Sequence, residues 1–490
     1  MVPVFPFDFT LPRDTGGLAQ ALHRVLRDAV LDGRLPAGSP LPSTRTAAQA
    51  LGLSRNTVVA AYDLLVAEGY VLPRSGARSV VAPIATRRAG SKAAGGSSVL
   101  TQAWQTERIV PLWRAPQMGP DAARTLPERN FRLGVPDHRP FPHAVWRRLT
   151  ARSLREWSRS PFGYPPTEGL PALREAIAKH LGFSRAVACE ARDVVVTSGA
   201  QQAFDLLARL LVTPGRTQVA VEEPGYPPLR AAFAAAGAVL VPVPVDDEGL
   251  RVDQLPDTVR VVSVTPSHQS PTGAALSLHR RAALLDWARA RHAVILEDDY
   301  DGEFRFGARP LDALQTLDRD GIVFYIGTFS KCMFPSLRKG FVVSPPWARD
   351  ALLAVKHCAD SHCDTITQSA LAAFIHEGHL ARHVRRMRAL YAARRQVLLE
   401  GLQRELAAWL RPIPSEAGLH MAARIVDTAH TDAIVNAMRR CLPGAQTSAE
   451  YSMASGPPWA LSFGYGTVDA EAIVPALRRM RRALQVQGGS

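Results

Sequence analysis

Apolar residues near the start of the chain recur three or four positions apart, the spacing of one face of an α-helix. The pattern predicts a helix over residues 18–31. It ends before Asp32 and Gly33, because glycine readily adopts the left-handed conformation found after helix ends. Prolines in the next ten residues predict a stiff connector. The periodic positions are Leu18, Leu22, Val25, Leu26, Ala29 and Val30.

A second helical pattern begins at Thr44 and contains a turn. Ala48 is small enough for two helices to approach closely, Gly52 allows a tight turn, and Val58 can pack one helix on the other. Ser54 is a natural N-cap for the second helix. This spacing predicts a helix-turn-helix, although a small helical domain that contacts other proteins shows the same bare pattern.

The pattern after the second helix favours a two-stranded wing. The segment Glu68–Leu72 predicts the first strand, Gly76 the turn, and Ser79–Val81 the second strand. Helices followed by such a wing are typical of DNA-binding domains, in which the first turn of the second helix meets base edges and phosphates.

From Leu126 onward, short apolar runs alternate with helical segments. Runs of this kind are buried on both faces, which implies a mostly parallel sheet covered by helices. The predicted fold class is α/β. The predicted strands and helices are Val194–Ser198, Ala200–Leu211, Gln218–Glu223, Leu229–Ala236, Val259–Val264, Leu278–Arg291, Ala293–Leu296 and Ile322–Ile326.

Composition fits a large globular chain with a polyanionic partner. At 490 residues it suggests two or three domains, and 47% hydrophobic residues are enough for a large core. The formal net charge of +14 is spread along the chain, so charge alone does not locate a DNA site. Five scattered cysteines, no signal-peptide pattern and no long apolar run predict a cytoplasmic protein without a membrane span.

Composition also divides the chain into segments. Residues 85–125 are rich in Ala, Gly, Ser, Arg and Pro and cannot bury enough apolar surface to order themselves, so we expect a flexible linker. The linker separates a winged-helix domain at 1–84 from a ligand-binding domain at 126–490. Within the second domain we expect a large part at about 160–355 and a small C-terminal part at about 372–490.

Candidate chemistry lies at the carboxyl ends of the predicted strands, where ligands of such sheets bind. A buried amine at Lys331, near other cations, has a lowered pKa and can attack an aldehyde. Asp298 can keep a pyridine nitrogen protonated, and Tyr300, on the same strand face, can bond a phenolic oxygen. These groups suit pyridoxal 5'-phosphate (PLP) held by Lys331 as a Schiff base.

Other residues suit the phosphate and the ring of PLP. Free backbone N–H groups at a helix start bind phosphate, and arginine suits a dianion. Tyr226 offers a ring for stacking on the cofactor. Each candidate residue alone has a commoner explanation, such as a surface lysine or an ordinary helix start. The prediction of a PLP site therefore depends on finding the whole set in this order on successive strands. The candidate phosphate residues are Ser198, Gly199, Ala200, Gln201, Thr328, Ser330 and Arg338.

The segment Gly33–Tyr70 closely resembles the winged-helix domain of GntR-type regulators, which implies double-stranded DNA as a partner. The family wing usually runs Gly-Ser-Gly-Thr, whereas this chain has Ala77 and Arg78 after the first glycine, and Arg78 can add a phosphate or minor-groove contact. The DNA-binding residues that the resemblance implies are Arg45, Ser54, Arg55, Asn56, Thr57, Arg74, Gly76 and Arg78.

Residues 126–490 resemble a fold-type-I, aspartate-aminotransferase-like domain. Together with the winged helix, nearly the whole chain resembles the MocR/GabR-type subfamily of GntR regulators. The resemblance implies that Lys331 carries PLP, that Asp298 pairs with its pyridinium, and that the protein is a head-to-tail homodimer. The motifs that carry it are Gly163–Arg174, Thr197–Gln202, Glu223–Tyr226, Glu297–Asp301 and Gly327–Lys331.

Two positions depart from the aminotransferase pattern. The usual Asn-Pro-x-Gly lacks its asparagine in Ser267–Gly273, and we expect Gln269 or His268 to substitute in binding the cofactor. A late Arg-Leu-Ser-Phe pattern, whose arginine grips the substrate carboxylate, begins here with Ala460. Alanine cannot grip a carboxylate, which weakens the case for ordinary amino-acid turnover.

Two further clusters have ordinary explanations. The segment Lys356–Asp364 contains two His-Cys pairs without the spacing of a zinc site, so we predict no metal and a helix or loop near the dimer interface. The basic segment Arg382–Arg395 predicts a helix with a solvated or interface face, and an auxiliary surface for DNA phosphates is the alternative.

These features predict a PLP-dependent DNA-binding transcriptional regulator rather than an enzyme, with a residual aminotransferase half-reaction possible in principle. The effector is PLP itself or a small amine or amino acid. One alternative is a working aminotransferase that carries a DNA-binding head. Another is a repressor that has lost the cofactor, against which Lys331, Asp298 and Arg338 argue.

Overall fold

The computed structural model describes residues 4–11, 17–74, 78–83, 110–114, 127–159, 163–307 and 312–487. The chain forms two compact units, Met1–Val110 and Pro111–Ser490. Of the predicted linker, only 110–114 falls within the described residues. Among the described helices, none combines the length and apolar character that crossing a bilayer requires.

The first unit is a winged helix. Helix α1 ends at Leu31, as the apolar spacing predicted. Gly52 adopts the left-handed conformation, with φ of 63°, and the Ser54 hydroxyl accepts a hydrogen bond from Thr57 N, so the turn and the N-cap predicted from the sequence are confirmed. The elements are α1 (Leu18–Leu31), α2 (Thr44–Leu51), α3 (Arg55–Ala67), β1 (Val71–Leu72) and β2 (Val80–Val81).

The core of the first unit explains the helix-turn-helix spacing. Ala48 and Val58 are buried where α2 meets α3, and Leu22 and Leu26 of α1 are fully buried beneath them. The N-terminal segment adds Phe5, which is only 3% exposed in the same core. Its aromatic residues therefore belong to the winged-helix unit.

The second unit contains alternating helices and strands, which confirms the predicted α/β class. Its helices are α4 (His143–Trp157), α5 (Pro171–Arg185), α6 (Ala200–Leu211), α7 (Pro227–Ala235), α8 (Leu278–Ala290), α9 (Leu314–Leu317), α10 (Arg349–Asp360), α11 (Thr365–His376), α12 (His379–Glu405), α13 (Thr431–Cys441) and α14 (Ala470–Gln487). Its strands are β3 (Val194–Thr197), β4 (Gln218–Glu223), β5 (Val239–Asp246), β6 (Gly249–Leu250), β7 (Val261–Val264), β8 (Val294–Asp299), β9 (Val323–Thr328), β10 (Gly340–Val343), β11 (Leu410–Pro412), β12 (His420–Ile425), β13 (Gln446–Thr447) and β14 (Ala460–Gly464).

The described strands of the second unit form two sheets. The large one has eight strands in the order β3-β10-β9-β8-β7-β4-β5-β6, parallel from β9 to β5 and antiparallel around β10. The small one is antiparallel, in the order β11-β12-β14-β13. Parallel strands bring their carboxyl ends to one edge of a sheet, and ligands of such sheets bind there.

Candidate cofactor site and nucleic-acid interface

A cavity of about 190 Å³ opens beyond the carboxyl ends of β8 and β9. The sheet order makes these two strands neighbours, so residues that are distant in sequence meet at one edge. Nine of the predicted cofactor residues line the cavity: Ala200, Gln201, Tyr226, Asp298, Tyr300, Thr328, Ser330, Lys331 and Arg338.

Lys331 lies three residues beyond the end of β9, with its amine in the cavity wall. Burial lowers the pKa of this amine and the charge of Arg132 lowers it further, while the carboxylates of Asp301 and Asp298 raise it; the net shift is downward. A lowered amine pKa provides more of the neutral form that attacks an aldehyde.

Asp298 lies on β8 beside Lys331 and is 4% exposed. Burial raises the pKa of its carboxyl group to about 8, and the neighbouring charge of Asp299 raises it in the same direction. Its Oδ1 atom has no hydrogen-bond partner in the described part of the chain. A buried acceptor without a donor in a cavity wall is suited to a ligand that brings an N–H group.

The start of α6 and the loop after β9 form a cup for an anion. Gly199, with φ of 86°, precedes α6, and a Cβ there would lie 3.0 Å from Arg338 Nη1. Arg338 itself has the left-handed φ of 50° and donates from Nη2 to Ser198 O at 2.6 Å. Thr328 Oγ1 donates to Ser330 Oγ at 3.0 Å. Free backbone N–H groups at the helix start and a guanidinium suit phosphate.

Two tyrosines close the cavity. Tyr300 leaves β8 two residues after Asp298 and donates its hydroxyl to His268 O at 2.9 Å. Tyr226, just before α7, is 40% exposed and presents its ring to the cavity. A ring at the mouth can stack on a planar ligand and exclude water.

The structure corrects the predicted role of Gln269. Gln269 is not among the residues that line the cavity, and its side chain is engaged elsewhere, since Nε2 donates to Pro224 O at 2.8 Å and Oε1 accepts from Thr272 Oγ1 at 2.7 Å. Ser270 lines the cavity instead. It stands directly before Pro271, where the Asn-Pro-x-Gly pattern has its asparagine, so alignment on Pro271 could have identified it.

Sequence reasoning missed the cavity walls that come from distant segments. Gly134 has φ of 67°, and a Cβ there would lie 2.9 Å from Lys331 Nζ, so only glycine leaves room for the amine. His420 opens β12, and Tyr451 precedes β14. Ser198 and Gly199, two of the predicted phosphate residues, contact Arg338 but are not among the cavity-lining residues. The unpredicted lining residues are Leu133, Gly134, Phe204, Ser270, Pro335, His420 and Tyr451.

Of the two clusters that the sequence explained as structural, the first spans the end of α10 and the loop after it, and the second lies in α12. Cys363 follows α10 and is buried, with Sγ 3.6 Å from Lys356 Nζ, while Cys358 is exposed. The basic segment belongs to α12, where Arg394 donates to Asp137 at 2.8 Å and Arg388 donates to Glu303 O at 2.8 Å. These two arginines therefore bind other parts of the second unit.

The first unit presents the predicted DNA-binding residues at its surface. Arg55 and Asn56 are exposed on the first turn of α3, and Thr57 is half-buried, with its amide and hydroxyl bonded to Ser54 Oγ at 3.1 and 2.8 Å. Arg45 on α2 is exposed as well. Arg74 and Arg78, on either side of the wing turn, are also exposed. Gly76 lies outside the described residues.

Two family models match the chain. The model for bacterial regulatory proteins of the gntR family matches residues 18–81, and the model for aminotransferase class I and II matches residues 130–439. The chain is 37% identical to the probable rhizopine catabolism regulatory protein MocR of Rhizobium meliloti, over 94% of this chain and 92% of that protein. It is 32% identical to the pyridoxine biosynthesis transcriptional regulator PdxR of Corynebacterium glutamicum, over 94% and 95%.

A solved aminotransferase has the fold of the second unit. The alpha-aminoadipate aminotransferase LysN of Thermus thermophilus, in complex with N-(5'-phosphopyridoxyl)-L-leucine, superposes with a TM-score of 0.70 and 28% identity, covering 79% of this chain and 99% of that one. A winged helix of the gntR type implies DNA binding. The chain therefore belongs to the MocR-type regulators of the GntR family, which join a DNA-binding winged helix to an aminotransferase-like domain.

Proposed function

We propose that this regulator binds PLP in the cavity of its second unit and changes its DNA binding when a small primary amine, an amino acid or PLP itself occupies that cavity. The observation that carries the proposal is the meeting of a buried amine, Lys331, with an unpartnered buried carboxylate oxygen, Asp298 Oδ1, in one cavity. This pair suits an aldehyde and a ring nitrogen on one molecule.

The residues present fit PLP on three counts. Asp298 Oδ1 lacks a donor in the described residues, and a protonated ring nitrogen would supply one. Gly134 leaves open the space beside Lys331 Nζ that a Cβ would fill. At the other end of the cavity, Arg338 and the start of α6 provide the positive potential that a phosphate dianion requires.

PLP, when bound, supplies an electrophilic aldehyde and a ring that withdraws electrons. Lys331 would hold the aldehyde end, and Asp298 would hold a proton at the ring nitrogen. Tyr300 would orient the phenolic oxygen, and Tyr226 would cover the ring and keep water out. Arg338, with the backbone N–H groups of α6, would fix the phosphate. The lining residues that would surround the phosphate are Ala200, Gln201, Thr328, Ser330 and Arg338.

Two observations support sensing over turnover as the main role. Ala460 is 1% exposed and packs with Ile413 and Ala422, so the position where aminotransferases carry a carboxylate-binding arginine is filled by an apolar contact. The chain also belongs to a family of regulators over nearly its whole length. A second protomer would supply a second winged helix for a two-part operator, and we include a head-to-tail homodimer in the proposal.

The proposal is tested by DNA binding in the presence of ligands. The promoter region beside the protein's own gene is labelled, and its affinity for the PLP-loaded protein is measured by fluorescence anisotropy with and without a panel of primary amines. We expect at least one amine to change the affinity by about 5-fold or more, the usual range of coupling between sites. Multiple turnovers of the amine to a carbonyl product, with no effect on DNA binding, would instead favour the aminotransferase alternative.

The substitution Asp298→Asn is expected to weaken PLP binding by about 10- to 100-fold, the size of a lost hydrogen bond to a charged group. Asparagine keeps the shape but offers no negative charge to a protonated ring nitrogen. Titration of the apoprotein with PLP, followed by visible absorbance, measures the change. Asp257→Asn, at a side chain that is 78% exposed, is the matched control. Equal affinities of wild type and Asp298→Asn would contradict the assignment.

The raised pKa of Asp298 also predicts a pH-dependent difference in apoprotein stability. The folded apoprotein holds this proton up to about pH 8, whereas the unfolded chain releases it near pH 4. The stabilisation is therefore complete below pH 4 and is lost as the pH rises through 8. The Asp298→Asn variant has no carboxyl group to titrate at this position. Its Tm, measured by scanning calorimetry, should therefore rise relative to that of wild type between pH 5 and pH 9. A difference in Tm that stays constant over this range would contradict the prediction.

A further inference from the structure

His420 has no assigned role, although it lines the cavity and is 2% exposed. Neither ring nitrogen has a partner at full hydrogen-bond distance and angle among the described residues, although the backbone groups of Pro271 and Gln269 act on the ring as weaker acceptors that raise its pKa. Buried polar atoms nearly always have hydrogen-bond partners. Two ring nitrogens without such partners in a cavity wall therefore indicate that a polar group of a ligand binds there.

The ring next to His420 argues against a metal ion at this place. Among the described residues, His268, Asp301 and His420 could be grouped as metal ligands. The His268 and His420 ring centroids are only 4.2 Å apart, tilted at 44°. Two imidazoles on one zinc ion, with Zn–N of about 2.0–2.1 Å, would hold their centroids about 5 Å apart. His268 Nδ1 instead pairs with Asp301 Oδ2 at 2.9 Å, so the two rings pack against each other.

The surroundings of His420 favour the neutral form of its imidazole. Burial holds the pKa of His420 well below its usual value, and the nearby His268 and Lys331 lower it further. A neutral imidazole offers one N–H donor and one lone pair. We therefore expect the imidazole to prefer an uncharged group, which can both donate and accept a hydrogen bond, over a carboxylate, which can only accept.

His420 lies on the face of the small four-stranded sheet that contacts the loop around Pro271. It is paired with Gly464 on β14, and Ser462 Oγ on that strand donates to Pro271 O at 3.0 Å. Side chains two residues apart on a strand share a face, so Ala460 belongs to the same face as Ser462. On this face a histidine lines the cavity, while alanine occupies the position of the aminotransferase arginine.

We propose that His420 determines effector specificity and that the effector is a primary amine carrying a hydroxyl group at its far end. The inference rests on the proposed function, because the amine end of the effector is captured where Lys331 and PLP meet. The hydroxyl group both donates and accepts, so it can pair with a neutral imidazole. A carboxylate would meet alanine instead of arginine at position 460 of this face. The cation left to test is Arg132, which precedes the cavity residue Leu133 and whose charge acts on Lys331.

The test compares three amines of matched length on the full-length, PLP-loaded protein. They are 3-amino-1-propanol, β-alanine and propylamine, and the change in visible absorbance gives each dissociation constant. We expect wild type to bind the amino alcohol about 10-fold tighter than propylamine, the effect of one hydrogen bond. His420→Ala should remove that preference, and His420→Asn should retain part of it. His430→Ala, at an exposed histidine of the same part of the chain, should behave as wild type.

Each other outcome overturns the inference in a distinguishable way. Equal binding of the amino alcohol and propylamine by wild type, or an equal loss for all three amines in His420→Ala, excludes a specificity role. Tightest binding of β-alanine, lost in Arg132→Ala, would assign the effector to the carboxylates. A protein that takes up no PLP would overturn the proposed function and this inference together. Because the comparison within wild type needs no variant, a folding defect in His420→Ala leaves the test valid.

Discussion

Replacing Lys331 by alanine is expected to abolish covalent retention of PLP. Wild type, reduced with borohydride in the presence of PLP and digested, should carry a pyridoxyl group on the peptide that contains Lys331, and the variant should carry none. The reason is the position of this amine, which lies in the cavity wall with a lowered pKa, between Asp298 and the open space beside Gly134. The phosphate cup remains in the variant, so weak, dialysable binding should persist.

A matched control separates this site from general lysine reactivity. Lys179→Ala removes an exposed lysine on α5 and should leave the adduct unchanged. Lys339 and Lys356 lie nearby but are held in ion pairs, with Asp364 and Asp360 respectively, both at 2.8 Å. An adduct on either of them, or an unmodified Lys331 peptide in wild type, would show that the cofactor is held elsewhere or not at all.

The elements that the sequence predicted well are those whose signals are local. Helices α1 and α6 and strand β4 have the predicted bounds, because helical spacing and apolar runs mark their ends. Strand β8 continues three residues beyond its predicted end at Leu296. The apolar run ends at Leu296, but Glu297 is fully buried and accepts hydrogen bonds from Leu314 N and Gln315 N, both at 2.8 Å, which keeps it inside the sheet.

Other strands gave weaker signals for physical reasons. Strand β5 contains two prolines and lies near the sheet edge, so it lacks the continuous apolar run of a central strand. Strand β10 is short and antiparallel between β3 and β9. The position of β10 between β3 and β9 depends on the path of the chain after Lys331, and no local sequence pattern determines that path.

The cavity shows the same division between local and distant signals. Residues that follow parallel strands, such as Asp298 and Lys331, could be placed together because the carboxyl ends of neighbouring strands share an edge. Gly134 and His420 reach the cavity from segments far away in the sequence, and only the packing of the complete second unit brings them there. Gln269 was misplaced because its strand-end position was clear but its side-chain direction was not.

Replacing Arg55 by alanine is expected to weaken operator binding by about 10- to 100-fold at fixed salt, the value of one good base or phosphate contact in a close-fitting interface. Arg55 is exposed on the first turn of α3, and the Ser54 cap fixes where that turn begins. Fluorescence anisotropy at several salt concentrations also shows which contact is lost. A phosphate contact lowers the salt slope by about one, whereas a base contact relaxes specificity at one position.

Arg24→Ala is the control for charge alone, since it removes an exposed arginine of the same unit from α1, away from the turn. It should change operator affinity much less than Arg55→Ala. PLP absorbance should remain unchanged in both variants, because the cofactor residues all lie in the second unit. If Arg24→Ala were equally damaging, only diffuse positive charge would be needed. If Arg55→Ala lost both DNA and PLP, the two activities could not be assigned to separate units of the chain.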